Sequence, residues 1–141
     1  MTKPFRLSGL LRIRSVQERL AAEDAARAAR EHSTARAREA GLREQMGASR
    51  SDATNPATLM AVAVSRSANR AMLAEARAVV EVRAQAAEKA RSAHQAARIE
   101  EGGLQKLADA HAEREREREL QAELTELDEI AIRPKKQKEE R

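Results

Sequence analysis

The apolar positions of the chain follow helical spacing over two long stretches. The first covers residues 5–46, where leucine and branched side chains near the start give way to alanines. The second covers residues 56–132 and ends in a leucine repeat. Narrow apolar stripes of this kind predict two long helices that each bury one face. The repeat has the four, three, four spacing of a coiled coil and consists of Leu120, Leu124, Leu127 and Ala131.

Glycine and proline divide the chain between these stretches. Gly47 is suited to end the first helix, and Asn55 followed by Pro56 is typical of a helix N-cap with proline at the first helical position. The pattern predicts a turn over residues 47–55. It predicts that the second helix ends near residue 132, before Pro134 and a basic tail at 133–141. The adjacent Gly102 and Gly103 predict a bend or local fraying inside the second helix.

A turn centred near residue 51 would fold the two helices antiparallel, with residue i level with residue 102 − i. The start of the first helix, at Phe5, would then lie beside about Ala97 of the second helix. Residues 104–131 would project beyond it as an unpaired helix about 40 Å long. The predicted fold is therefore all-α: a long two-helix antiparallel coiled-coil hairpin with a protruding C-terminal helix, in one unit over residues 1–141. An apolar stripe without an intramolecular partner is a candidate binding surface.

Composition supports a rod of helix and argues against an enzyme. Alanine makes up about a fifth of the chain, 35% of the residues are charged, and Phe5 is the only aromatic residue. Without a cysteine or a sheltered pocket, we expect no catalytic, cofactor or metal site. We expect two groups of residues to be solvated on helix surfaces: the alternating Glu–Arg run at 113–119, and the three histidines His32, His94 and His111.

The net charge of +4 is distributed unevenly. No acidic residue precedes Glu18, and the tail is also net positive, so both ends are candidates for contact with an acidic surface. Nucleic acid is not an expected partner, because stacking aromatics are lacking and acids are interleaved elsewhere. The longest apolar run, residues 59–64, is far shorter than the roughly 20 residues of a membrane-spanning helix.

Both ends of the chain resemble one known family. Residues 5–14 read Phe-Arg-Leu-Ser-Gly-Leu-Leu-Arg-Ile-Arg and are followed by Glu18 and an alanine-rich helix. Residues 123–133 read Glu-Leu-Thr-Glu-Leu-Asp-Glu-Ile-Ala-Ile-Arg, just before the basic tail. These two segments are similar to the start and the end of the flagellar export protein FliJ. The chain length and the two-helix layout agree with that family.

The resemblance implies a stalk-like coiled coil of the bacterial flagellar type III export apparatus. Its implied partners are the hexameric export ATPase, the membrane protein of the export gate and export chaperones. Its implied location is cytoplasmic, peripheral at the inner face of the cell membrane. The residues carried over as partner-binding candidates, together with the two leucines of the projecting helix, are Phe5, Leu7, Leu11, Arg14, Glu18, Leu120, Leu124, Leu127, Asp128 and Glu129.

Other interpretations remain open at the level of sequence. Phe5, Leu7, Leu11 and Leu127 are equally suited to the seam between the two helices. The whole chain is also compatible with a generic coiled-coil scaffold that associates with itself. A third interpretation is a peripheral membrane protein anchored by the basic, leucine-bearing start.

Overall fold

The chain folds into two α-helices. The structure, a computed structural model, describes residues 3–48 and 53–139, with side chains described for 3–48 and 53–132. Helix α1 is Ser8–Ala48, of 41 residues, and helix α2 is Pro56–Glu139, of 84 residues. No strand occurs in these ranges, so the predicted all-α fold is confirmed. None of the described helices is long and apolar enough to cross a membrane.

The ends of the helices agree with the prediction in part. Asn55 caps α2 as predicted: its side-chain oxygen accepts a hydrogen bond of 2.8 Å from the backbone N–H of Thr58. Gly47 lies inside α1, which ends one residue later, and residues 49–52 of the predicted turn lie outside the described residues. Helix α1 begins at Ser8 rather than at residue 5, and the residues before it form a turn that is closed by a hydrogen bond from the Ser8 N–H to the Phe5 carbonyl.

Two predicted interruptions of α2 are absent from the described chain. The helix is continuous through Gly102 and Gly103, neither of which has a positive φ, so the predicted fraying is wrong. The predicted end near residue 132 is also wrong, since α2 continues through Pro134 to Glu139. An interior proline removes one backbone hydrogen bond and costs about 3 kcal/mol, which weakens a helix without always ending it.

The described chain divides into two compact units, each containing a segment of both helices. One unit is Met1–Val16 with Arg98–Arg141, and the other is Gln17–Ala97. In the second unit the helices run antiparallel, because contacts pair Glu18 with His94, Glu31 with Arg83 and Glu39 with Arg77. The first unit is also antiparallel, with Lys3 beside Glu115 and Arg14 beside Glu100.

The register of the pair differs from the predicted one by about 12 residues. The prediction placed Arg14 level with residue 88, whereas its guanidinium lies 2.6 Å from the Glu100 carboxylate. The predicted register would also have put Glu18 opposite Ala84 and Glu31 opposite Ala71. The observed register instead brings opposite charges together across the seam, which favours it over the register centred on the turn.

The less exposed positions of both helices repeat every seven residues. In α1 they include 11, 18, 25, 32, 39 and 46, together with 14, 21, 28, 35 and 42. In α2 they include 73, 80, 87, 94, 101, 108 and 115, together with 69, 76, 90, 97, 104 and 111. A heptad repeat keeps one seam facing the partner helix, which is the geometry of a left-handed coiled coil. We call these the seam positions.

The seam is thin. The only hydrophobic side chains among the described residues that are buried are three alanines, which limits the apolar area that the pair removes from water. Alanine allows two helix backbones to approach closely, at the cost of a small contact area. These alanines are Ala35, Ala76 and Ala87, each between 8% and 9% exposed.

Candidate interaction surfaces

Polar contacts fasten the alanine seam in the unit of residues 17–97. The Glu18 carboxylate lies 2.7 Å from Nε2 of His94, and both side chains are about three-quarters buried. Glu39, only 16% exposed at its side chain, contacts Arg43 of its own helix and Arg77 of α2. Since these residues occupy or flank seam positions, they hold the register of the pair. The expectation that His94 is a solvated surface residue is wrong.

The N-terminal segment is fastened to α2 by a cluster around Phe5. The Phe5 ring packs on the imidazole of His111, with ring centroids 5.6 Å apart and tilted by 55°. The backbone N–H of Lys3 donates a hydrogen bond of 3.3 Å to Glu115. Ser15 donates a bond of 2.7 Å to Glu101 in the same unit. Phe5 therefore belongs to the contact between the helices, as the seam interpretation of this residue predicts, and His111 is not simply solvated.

Glu115 is the one charged side chain among the described residues that is buried, at 5% exposure. The hydrogen bond from the Lys3 backbone lowers the pKa of its carboxyl most, burial opposes the shift, and the neighbouring Arg118 guanidinium lowers the pKa further. Glu115 also accepts a hydrogen bond from Arg118. The expectation that residues 113–119 form a solvated face is wrong for this residue, which occupies a seam position.

Beyond Glu115 the side chains of α2 are all exposed as far as they are described, to Ile132. We call residues 116–139 the C-terminal overhang. By helix rise it is about 36 Å long. The predicted overhang started at residue 104, which is wrong, since Leu104, Ala108 and His111 occupy seam positions beside the N-terminal segment. The overhang starts later than predicted for the same reason that the register differs. Helix α1 pairs with residues of α2 that lie further along the chain than a turn centred near residue 51 would place opposite it.

The leucines of the C-terminal overhang do not continue the seam. Extending the seam repeat from 101, 104, 108, 111 and 115 leads to Arg118, Ala122 and Thr125. Each repeat leucine comes two residues after one of these positions, which turns it about 200° around the helix. The overhang face therefore points away from the side on which α1 packs. It consists of Leu120, Leu124 and Leu127, which are 55–62% exposed, with Ile130 at 63% beside them.

A second exposed apolar surface lies on the N-terminal part of α1. Ile13 and Val16 are 56% and 47% exposed, and each follows a seam position, Leu11 or Arg14, by two residues. They therefore face away from α2. Leu7 and Leu10 are 41% exposed but lie nearer the side on which α2 packs, because a step of three residues turns each of these side chains about 60° from the next. We call Ile13 and Val16 the N-terminal face.

The structure separates the ten predicted partner-binding residues into two kinds. Four of the five N-terminal candidates make contacts or occupy seam positions: Phe5 packs on His111, Leu11 lies in the seam, Arg14 pairs with Glu100, and Glu18 pairs with His94. The fifth, Leu7, is 41% exposed. The five C-terminal candidates all lie on the C-terminal overhang and are exposed: Leu120, Leu124, Leu127, Asp128 and Glu129.

Sequence reasoning missed the residues that fasten the pair, His94, His111, Glu39 and Glu115. The seven-residue step that links 94, 101, 108 and 115 was available in the sequence, but the polar side chains at those positions concealed it from a search for apolar stripes. Over residues 3–48 and 53–132, whose side chains are described, no group of three or more His, Asp or Glu side chains is arranged to hold a metal ion. No protein-family model, curated protein or solved structure matches the chain.

Proposed function

We propose that this chain is a stalk-like component of the bacterial flagellar type III export apparatus. In this role it binds the ring of the export ATPase, the membrane protein of the export gate and export chaperones, without catalysing a reaction itself. It would act in the cytoplasm at the inner face of the cell membrane. The observation that supports the proposal best is the C-terminal overhang, which presents exposed leucines next to an antiparallel helix pair.

The positions of the family-like segments add to this support. Residues 5–14 and 123–133, which resemble the two ends of FliJ, fall in the same structural unit although they are more than a hundred residues apart in sequence. Within that unit, the first segment supports the base of the overhang through Phe5 and His111. The second segment supplies exposed leucines and the carboxylates Asp128 and Glu129. Such a projecting helix is suited to docking into a groove of another protein.

The direct experiment is binding of the purified chain to the purified hexameric export ATPase of the same cell. Deletion of residues 119–141 removes the leucine face and leaves the contacts of Lys3, Phe5 and Arg14 in place. We expect this deletion to abolish binding, while the helix pair keeps its circular dichroism and its melting temperature. Deletion of residues 133–141 alone is the matched control, because it leaves Leu120, Leu124 and Leu127 intact.

Two outcomes would count against the proposal. If the full chain does not bind the ATPase ring, the export role fails. If the chain shortened at residue 118 still binds, the overhang is not the docking element and the proposal loses its main support. Replacement of Asp128 and Glu129 by Asn and Gln, compared with Glu123→Gln, then tests whether the two family-matched carboxylates contribute more than a neighbouring one.

A further inference from the structure

The N-terminal face and the C-terminal overhang have complementary charge. Residues 3–17 contain Lys3, Arg6, Arg12 and Arg14 and no acidic residue. The leucine-bearing stretch 119–132 contains no basic residue. Its acids surround the exposed leucines along the whole stretch; they are Glu119, Glu123, Glu126, Asp128 and Glu129. One exposed apolar surface is therefore framed by positive charge and the other by negative charge.

Both surfaces present large aliphatic side chains to solvent. Ile13 and Val16 lie about one helical turn apart on the N-terminal face and are 56% and 47% exposed. The overhang face presents Leu120, Leu124 and Leu127, which are 55–62% exposed, with Ile130 beside them. Exposed apolar side chains on one helix are suited to packing between those of a second helix.

One chain cannot join its own two faces in this conformation. Ile13 lies near the level of Glu101, since its neighbours Arg14 and Ser15 contact Glu100 and Glu101. The overhang face is centred near Leu124, more than 20 residues further along α2, which is more than about 30 Å. The faces also point in opposite directions, because Ile13 and Val16 face away from α2 while Leu124 faces away from α1.

We propose that the N-terminal face of one copy of this chain docks on the overhang face of a second copy. Charge favours this pairing over the two symmetric ones, because two overhang faces would bring ten carboxylates together and two N-terminal faces would bring Lys3, Arg6 and Arg12 of both copies together. The contact joins two different surfaces, so it is heterologous. Because the two faces of a chain point in opposite directions, the contact does not close on a dimer, and copies add head to tail.

The test uses the full-length chain and follows its mass by sedimentation velocity over a wide range of concentration. Wild type is expected to grow beyond a dimer as concentration rises, and added salt is expected to weaken the growth because the charge attraction is screened. Ile13→Glu on one face and Leu124→Glu on the other should each raise the dissociation constant by about tenfold or more. Both sites are more than half exposed, so helicity should not change.

Control substitutions add the same charge away from the faces. Ser8→Glu lies at the exposed start of α1, and Ala122→Glu lies on the seam side of the overhang, turned about 200° from Leu124. Both are expected to associate like wild type. If Leu124→Glu associates as strongly as Ala122→Glu, the apolar face does not contribute to growth, and the proposal is overturned.

Mixing the two face variants distinguishes head-to-tail docking from symmetric pairing. Ile13→Glu retains only its overhang face, and Leu124→Glu retains only its N-terminal face. Each should be monomeric alone, and an equal mixture should form a one-to-one dimer that grows no further. Self-association of either variant alone overturns the proposal in favour of symmetric pairing. A wild type that stays monomeric and instead binds vesicles containing anionic lipid overturns it in favour of a membrane surface.

Discussion

The helix pair and the C-terminal overhang share one continuous helix, α2, but they place their large apolar side chains differently. In the paired part the buried hydrophobic residues are alanines, and polar residues such as Glu39, His94 and Glu115 lie at or near the seam. In the overhang the leucines are more than half exposed and no described residue of α1 faces them. The most deeply buried apolar side chains of the pair are therefore alanines, whereas the overhang presents leucines to solvent.

The two regions therefore have different roles. Charge pairs along the seam set the register of the helix pair, whereas the leucine face is suited to binding a partner. An alanine seam buries little apolar area per residue, so it stabilises many registers to a similar extent. Specific charge pairs such as Glu18 with His94 and Arg14 with Glu100 then select among them. A leucine face buries much more area when it is covered, and is therefore better suited to binding than to setting the register of a long pair.

The largest loss of stability is expected when a charge is placed in the alanine seam. Ala76→Glu should lower the free energy of unfolding by about 2–4 kcal/mol, because a carboxylate enters a close helix contact that is 8% exposed. Ala78→Glu makes the same chemical change two residues away, at an exposed position, and should change it by less than about 0.5 kcal/mol. Thermal unfolding followed by circular dichroism measures both. Equal effects would mean that the seam is not where the structure places it.

A smaller loss is expected from the Phe5 cluster. Phe5→Ala removes the ring that packs on His111 and should cost about 1–2 kcal/mol, since the ring is only partly buried. The effect should be local, with faster hydrogen exchange in residues 8–16 and little change in residues 17–97. Leu7→Ala, at a 41% exposed neighbour, is the control and should accelerate exchange much less. Similar acceleration by both variants would show that the ring contact does not hold the segment.

The third prediction concerns the stability of the folded chain at low pH. The pKa of Glu115 in the folded chain is below its ordinary value of 4.5, so below that pH the unfolded chain binds more protons than the folded one. The stabilisation from Glu115 is therefore fully present above pH 4.5 and is lost as the pH falls through the folded pKa. Glu115→Gln should be less stable than wild type near neutral pH, and the difference should shrink on acidification. Unfolding measured at a series of pH values checks this, and a difference independent of pH would contradict it.

The smallest effect is expected on the overhang. Leu127→Ala should change the free energy of unfolding by less than about 0.5 kcal/mol in dilute solution, because the side chain is 62% exposed and alanine is a strong helix former. The same variant should be impaired in binding wherever the leucine face is used. A large loss of thermal stability at low concentration would show that Leu127 is already covered within a single chain.

The sequence predicted the two helices, the cap at Asn55 and the leucine repeat, because these follow from local spacing and local hydrogen bonding. It failed on Pro134, where a local penalty was taken as decisive although a long helix tolerates it. The fraying that it predicted as one alternative at Gly102–Gly103 does not occur either. It also treated the histidines and Glu115 as surface residues, because a polar side chain gives no sign in the sequence that it lies between two helices. Heptad phase, not hydrophobicity, is the signal that identifies them.

Spacing and composition along the chain are enough to predict an α-helical protein with basic ends and a cluster of leucines near residues 120–127. Three features emerge only when the helices are packed: the register of the pair, the start of the overhang after Glu115 and the direction in which the leucine face points. Helix formation depends on contacts within about four residues. Register depends on pairs such as Glu31 with Arg83, whose attraction exists only once the two helices are side by side.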